Sequence, residues 1–164
     1  PDFAEFLVEE KILADYFDEA VGQGGEPSEV ANLMTGLVQA QIKRLDIDSI
    51  ANSNLSPKRL VSILQMLKSD TVNHSRIKDV IEGVLVENKE PQTIVEERGL
   101  AQVKDNDAMS KWVDDVIAEN SGPAQQIREG NLKTLGFMVG KVMKLSSGRA
   151  DPKEVNRLII ERLK

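Results

Sequence analysis

The chain has 164 residues, 40% of them apolar, 4% aromatic and none cysteine, with a formal net charge of −6. That length suits one domain or two small ones, and the scarcity of aromatics favours aliphatic helix packing over a β-sandwich or barrel. The lack of cysteine excludes disulfides, zinc–thiolate sites and cysteine nucleophiles, and it fits a cytoplasmic protein.

Residues 4–21 have helical spacing, with Phe6, Leu7, Leu13, Tyr16, Phe17 and Val21 available for burial. Gly22-Gln23-Gly24-Gly25 ends this segment. Pro27 suits a first helical position, and residues 28–45 continue with Val30, Leu33, Met34, Leu37, Val38 and Ile42 at helical intervals. Residues 46–55 read as a loop. Ser56-Pro57 is an N-cap followed by a first-turn proline. It opens a helix over 58–68 that carries Leu60, Ile63, Leu64 and Leu67. Asn73 is placed as the cap of a helix over 74–88. Glu90-Pro91 opens a short helix that stops at Arg98-Gly99, with the glycine just past its end.

Asp105 caps a helix over 107–120, where Met109, Trp112, Val113, Val116 and Ile117 form the apolar side and Trp112 is read as core. Ser121-Gly122-Pro123 turns the chain. Residues 123–129 form a short helix and 131–145 a longer one. Asp151-Pro152 caps the last helix, over 153–163. Neither period-2 alternation nor hairpin dipeptides appear. The predicted class is all-α, with a helical domain over 1–103 and a small three-helix tail domain over 104–164. No apolar run approaches the roughly 20 residues that a bilayer requires, so no membrane partner is expected. The chain starts at Pro1 without an initiator Met and is read as a piece of a longer protein.

Charge is unevenly placed. Residues 130–164 hold eight Lys/Arg against three acids, which makes them +5, while residues 1–129 are −11. Such asymmetry points to an anionic partner at the basic end. On a helix over 131–145, Leu132, Leu135, Met138, Val139, Val142, Met143 and Leu145 share an arc of roughly 160°. Lys133, Gly136, Phe137, Gly140 and Lys144 lie opposite, with Lys141 at the edge. Each helical glycine costs roughly 1 kcal/mol relative to alanine, and two of them four apart leave a smooth surface for another backbone. One reading is a neighbouring helix packed against the glycines, with the lysines merely solvated. The other is a phosphate backbone lying between the lysines.

Catalytic constellations are lacking in the sequence. His74 is the only histidine and reads as a surface or capping residue. The pairs Glu9-Glu10, Glu96-Glu97 and Asp114-Asp115 are adjacent in sequence, so their carboxylates diverge on a helix. P-loop, Rossmann, HExxH and GxSxG patterns do not occur. No catalytic residue and no metal ligand are assigned to this chain.

The run Lys133-x-Leu135-Gly136-Phe137-x-Val139-Gly140-x-Val142-Met143-Lys144, followed by Gly148-x-Ala150-Asp151-Pro152-x-x-Val155-Asn156, resembles the GatB/YqeY signature. That signature marks the tail domain of the B subunit of glutamine-dependent aspartyl/glutamyl-tRNA amidotransferases, and it is shared with YqeY-like proteins. Leu13-Ala14-Asp15-Tyr16-Phe17-Asp18-Glu19-Ala20, Ser56-Pro57-x-Arg59-Leu60 and Pro91-x-x-Ile94-Val95-Glu96-Glu97-x-Gly99-Leu100 resemble earlier parts of the same family, in order. The resemblance implies a helical domain and a YqeY-like tail that engages tRNA(Gln) or tRNA(Asn). It implies a parent protein that works with amidotransferase subunits A and C, and ATP and Mg²⁺ bound in a cradle domain whose catalytic sequence is not found here. No cofactor is expected in this fragment. The residues expected to meet RNA are Lys133, Gly136, Phe137, Gly140, Lys141, Lys144, Arg149 and Lys153. Phe137 either stacks on an unpaired base or packs on the preceding helix. The competing reading is a helical protein-interaction module without RNA binding.

Overall fold

The computed structural model describes residues 3–164, with side chains from Leu7 onward. The fold is all-α. The chain divides into two compact units, Pro1–Leu100 and Ala101–Lys164.

The first unit begins with α1 (Phe3–Gly22), which ends where Gly24 takes a φ of 97°. Tyr16 and Ala20 of α1 are buried, and the Tyr16 hydroxyl donates to the Leu55 carbonyl at 2.7 Å. Burial pushes the Tyr16 phenol above its ordinary pKa, with Glu19 adding to the shift. Leu7 and Leu13, expected to be available for burial, are instead exposed. They sit on turns that precede the part of α1 packed on the core. The side chain of Phe6 lies outside the described residues.

α2 (Pro27–Leu33) starts at the expected proline, capped by Glu26, whose carboxylate accepts from the Glu29 N–H at 3.0 Å. Its continuation is not uniformly α-helical. Met34–Val38 forms a π turn before α3 (Gln39–Arg44). Two local features favour the wider turn. Thr35 Oγ1 donates to the Ala31 carbonyl at 2.8 Å and competes with the ladder, and Gly36 is a weak helix former. The loop after α3 contains a 3₁₀ turn, Ile50–Asn52.

Ser56 caps α4 (Pro57–Lys68) as the sequence indicates, accepting from the Arg59 N–H. α5 (Ile77–Glu87) begins three residues later than expected. Asn73 does not cap it; its carbonyl accepts from the Arg76 N–H in a turn instead. α6 (Pro91–Glu97) ends before Gly99, whose φ of 59° only glycine adopts freely. Leu60, Ile63, Ile77, Ile81 and Ile94 form the centre of this core. α5 and α6 approach closely at Gly83, where a Cβ would stand 2.6 Å from Ile94 Cγ2. Arg98 and Lys89 pair with Glu87 at the end of α5, and these bonds, Arg98 foremost, hold its carboxyl below the usual range.

Arg59 ties three segments together. Its guanidinium donates to the Asn54 carbonyl at 2.8 Å, to Asn88 Oδ1 at 2.9 Å and to Glu90 at 2.9 Å. Only 17% of the Arg59 side chain is exposed, while Asn88 and Glu90 are open to solvent, so its removal costs the link among the three segments more than it strands acceptors. Hydrogen bonds to charged groups are worth about 1.5–3 kcal/mol each in mutational series. The variant R59A is therefore expected to lose about 2 kcal/mol of stability by urea denaturation. A loss under about 0.5 kcal/mol, the range of an ordinary surface change, contradicts this role.

The second unit holds three main helices, α7 (Asn106–Glu119), α9 (Leu135–Leu145) and α10 (Pro152–Leu163), with the short α8 (Ser121–Arg128) between the first two. Asp105 caps α7 and Asp151 caps α10, each accepting from the N–H two residues on. α8 starts two residues before the expected Pro123. The proline still falls in the first turn, where no N–H is needed. Val113, Met138, Val142, Val155 and Ile159 are buried together. Trp112 packs against this core but is only half-buried. Among the described residues, no helix is long and apolar enough to cross a membrane.

Candidate nucleic-acid interface

The expected helix over 131–145 begins as a 3₁₀ turn, Leu132–Thr134, nucleated by Asn131, whose side chain accepts from the Lys133 N–H at 3.1 Å. α9 then runs from Leu135. Met138 and Val142 are fully buried, and Leu135, Val139 and Met143 pack partly against the same core. Leu132 and Leu145, placed in the apolar stripe by their spacing, are 56% and 51% exposed. Leu132 belongs to a turn of three residues per repeat, which shifts it out of the α-helical phase. Leu145 is the last residue of α9 and lies at the margin of the arc.

The opposite face is open. Gly136 and Gly140 are exposed, and a Cβ built on either would meet nothing within 4 Å. No helix of the second unit packs on them, which removes one of the two readings of the glycine pair within that unit. Lys133, Lys141 and Lys144 are exposed on this side, and Phe137 is 50% exposed. The Lys141 ammonium lies 5.3 Å from the centre of the Phe137 ring, one helical turn away. Such an exposed pair is worth about 0.5–1 kcal/mol, and it holds the lysine against α9.

The remaining expected contacts lie after α9. Ser146 is buried; its hydroxyl donates to the Met143 carbonyl and accepts from the Ala150 N–H, both at 3.1 Å. Ser147 and Gly148 follow with φ of 53° and 74°, which reverses the chain toward α10. Arg149 is half-buried in this turn and its Nε donates to the Ser146 carbonyl at 3.3 Å. Lys153 is exposed in the first turn of α10 and shares an open cleft with Gly136. Lys133, Gly136, Phe137, Gly140, Lys141 and Lys144 therefore come together on one side of α9. Lys153 joins them through the cleft, and Arg149 is tied to the turn.

Ion pairing separates two sets of cations. Arg157 is held by Glu154 and Glu161, and Arg162 by Asp114 at 2.8 Å. Among the described residues, Lys133, Lys141, Lys144, Arg149 and Lys153 form no ion pair with a carboxylate. The charge of these five residues is thus uncompensated at short range. The spacing of the sequence singles out neither Arg162 nor the cleft residue Asn156, because both depend on α7 or α9 meeting α10.

Among the described residues, no three His, Cys, Asp or Glu side chains cluster closely enough to hold a metal ion. In the first unit, His74 is exposed at the edge of an apolar cleft of about 650 Å³, beside the Glu29–Lys68 ion pair.

A family model described as the GatB domain matches residues 15–163. The chain belongs to this family. It is 36% identical to the B subunit of the aspartyl/glutamyl-tRNA(Asn/Gln) amidotransferase of Thermodesulfovibrio yellowstonii, over 98% of the chain and 34% of that protein. It is 35% identical to the protein of the same name from Geobacter sulfurreducens, over 98% of the chain and 33% of that protein. The namesake from Clostridium botulinum is also 35% identical, over 96% of the chain and 33% of its own length. The chain spans about a third of the length of these relatives.

The glycines of this GatB-family chain carry a stability cost with no return inside the second unit. Alanine is favoured over glycine by roughly 1 kcal/mol in a helix interior, and the site at each position is empty. G140A is expected to raise the unfolding free energy by about 0.5–1 kcal/mol, and G136A, in the first turn of α9, by less. Urea denaturation of the two variants checks this. A loss of stability in either would mean that a neighbour already occupies the face.

Proposed function

We propose that this chain is the tRNA-positioning part of a glutamine-dependent amidotransferase that converts Glu-tRNA(Gln) or Asp-tRNA(Asn) to the amidated form. The observation that carries the reading is the open α9 face, where two glycines with empty surroundings lie between lysines that form no ion pair among the described residues. The family and the names of its relatives supply the substrate class. Folded RNA is recognised through shape, phosphates and 2′-hydroxyls, and phosphate contacts fix register rather than read sequence. Lys133, Lys141, Lys144 and Lys153 supply charge, and Gly136 and Gly140 let a sugar–phosphate backbone approach α9. Phe137 orders Lys141 and remains half exposed beside it. In this reading amide transfer, ATP and Mg²⁺ belong to other parts of a cytoplasmic complex with subunits A and C, and this chain contributes affinity and orientation.

A gel-shift series with tRNA transcript at several salt concentrations tests it. Binding is expected to weaken steeply and linearly in log–log form as salt rises, since each neutralised phosphate releases condensed counterions. Capture of a protein partner independent of salt, with no tRNA affinity, would overturn the reading in favour of a protein-interaction module.

A further inference from the structure

Between α9 and the start of α10 lies an open cleft of about 440 Å³. Leu135, Gly136 and Val139 line it from α9, and Pro152, Lys153 and Asn156 line it from α10. Leu132, which the core does not take up, stands 56% exposed at its edge. The volume falls at the lower end of the range for small-molecule sites, roughly 300–1,000 Å³.

Three chemical features meet there. The α9 wall is apolar, Pro152 adds an apolar patch from α10, and Gly136 has no side chain to close the opening. The Asn156 side chain is exposed, and no hydrogen bond engages its amide among the described residues. An asparagine amide offers donors and an acceptor side by side. Lys153 makes no ion pair among the described residues, and the neighbouring Glu154 pairs with Arg157. One apolar wall, a paired donor and acceptor, and a cation match a face, the edge and the phosphate of one nucleotide. Bases inside an RNA helix cannot present themselves this way; only unpaired, splayed bases can.

We propose that this cleft takes one unpaired nucleobase from a loop of the bound RNA. Asn156 hydrogen-bonds its edge and Lys153 holds the adjoining phosphate. The proposal rests on the tRNA reading above and adds to it a site that distinguishes looped from fully paired RNA.

The test uses the full chain, a tRNA transcript and a blunt duplex RNA of similar length, with affinities measured across a salt series. A good bidentate contact to a base is worth about 1–3 kcal/mol, so N156A is expected to weaken tRNA binding about 10-fold. Its salt slope should match the wild type, because no charge is lost. Duplex RNA should bind both proteins alike. K153A should instead weaken both RNAs and flatten the slope by about one unit. Equal tRNA affinity of N156A and wild type overturns the base site while leaving the tRNA reading intact. So does an equal loss toward the duplex. A wild-type chain that binds neither RNA overturns both.

Discussion

Replacing Lys133, Lys141 and Lys144 together by alanine is expected to weaken tRNA binding by about 100-fold at 0.1 M salt. The size follows from counterion release. Each phosphate contact contributes roughly 0.7–0.9 to the log–log salt slope, so three contacts at 0.1 M amount to about two log units or slightly more. The slope should flatten by about two to three units in the same variant. All three side chains are exposed and make no ion pair among the described residues, so their loss leaves the fold unchanged. Replacing Arg157 and Arg162 serves as the control. Their charges are engaged by Glu154, Glu161 and Asp114, and the expected change in slope is smaller for the same loss of formal charge per residue. An equal effect per charge removed would mean that only net charge matters.

The second large effect concerns the first unit and has the opposite sign pattern to the α9 glycines. Ile94 is fully buried, and I94A is expected to cost about 2–5 kcal/mol, as for other large-to-small core changes. G83A in the wild-type background forces a methyl to within 2.6 Å of Ile94 Cγ2, and such overpacking costs typically 1–3 kcal/mol. In the I94A background that clash is gone. The helix preference for alanine, roughly 1 kcal/mol, remains. G83A should therefore become neutral or stabilising there. A double-mutant cycle by urea denaturation reads the coupling directly. Additive single effects would contradict the contact as described.

Much of the fold was legible because its punctuation is chemical and local. Ser56-Pro57, Glu90-Pro91, Asp105 and Asp151-Pro152 open helices near where their capping and first-turn chemistry requires, and Gly99 closes one at a positive φ. What escaped the sequence depends on competition. Asn73 has a capping side chain, yet α5 waits until Ile77, because the turn through Arg76 takes the Asn73 carbonyl first. The π turn at Met34–Val38 carries no periodic signal, since the apolar spacing around it stays close to helical. Leu132 and Leu145 look apolar-facing on an ideal α-helix, but one is in a 3₁₀ turn and the other at a terminus.

The candidate face on α9 was legible only in part. The arc carrying Gly136, Gly140 and the lysines follows from 3.6-residue geometry. That Arg162 is neutralised by Asp114 does not, because those residues are 48 apart in the chain. Nor does the union of Gly136, Lys153 and Asn156 in one cleft, which arises when α9 and α10 pack. Arg149 shows the reverse case. Its position in a basic stretch suggests a phosphate contact, while its bond to the Ser146 carbonyl gives it a place in the turn as well.

The most direct measurement of the RNA-facing role of α9 pairs stability with affinity in the double variant G136A/G140A. Side chains on this face cost nothing inside the second unit, where no atom lies within 4 Å of either added Cβ. In the proposed reading they would stand where the RNA backbone approaches. The predicted result is a protein about 1 kcal/mol more stable than wild type that binds tRNA at least 10-fold more weakly, with an unchanged salt slope. A stabilised variant that binds tRNA as tightly as wild type would contradict the assignment of the open α9 face to RNA.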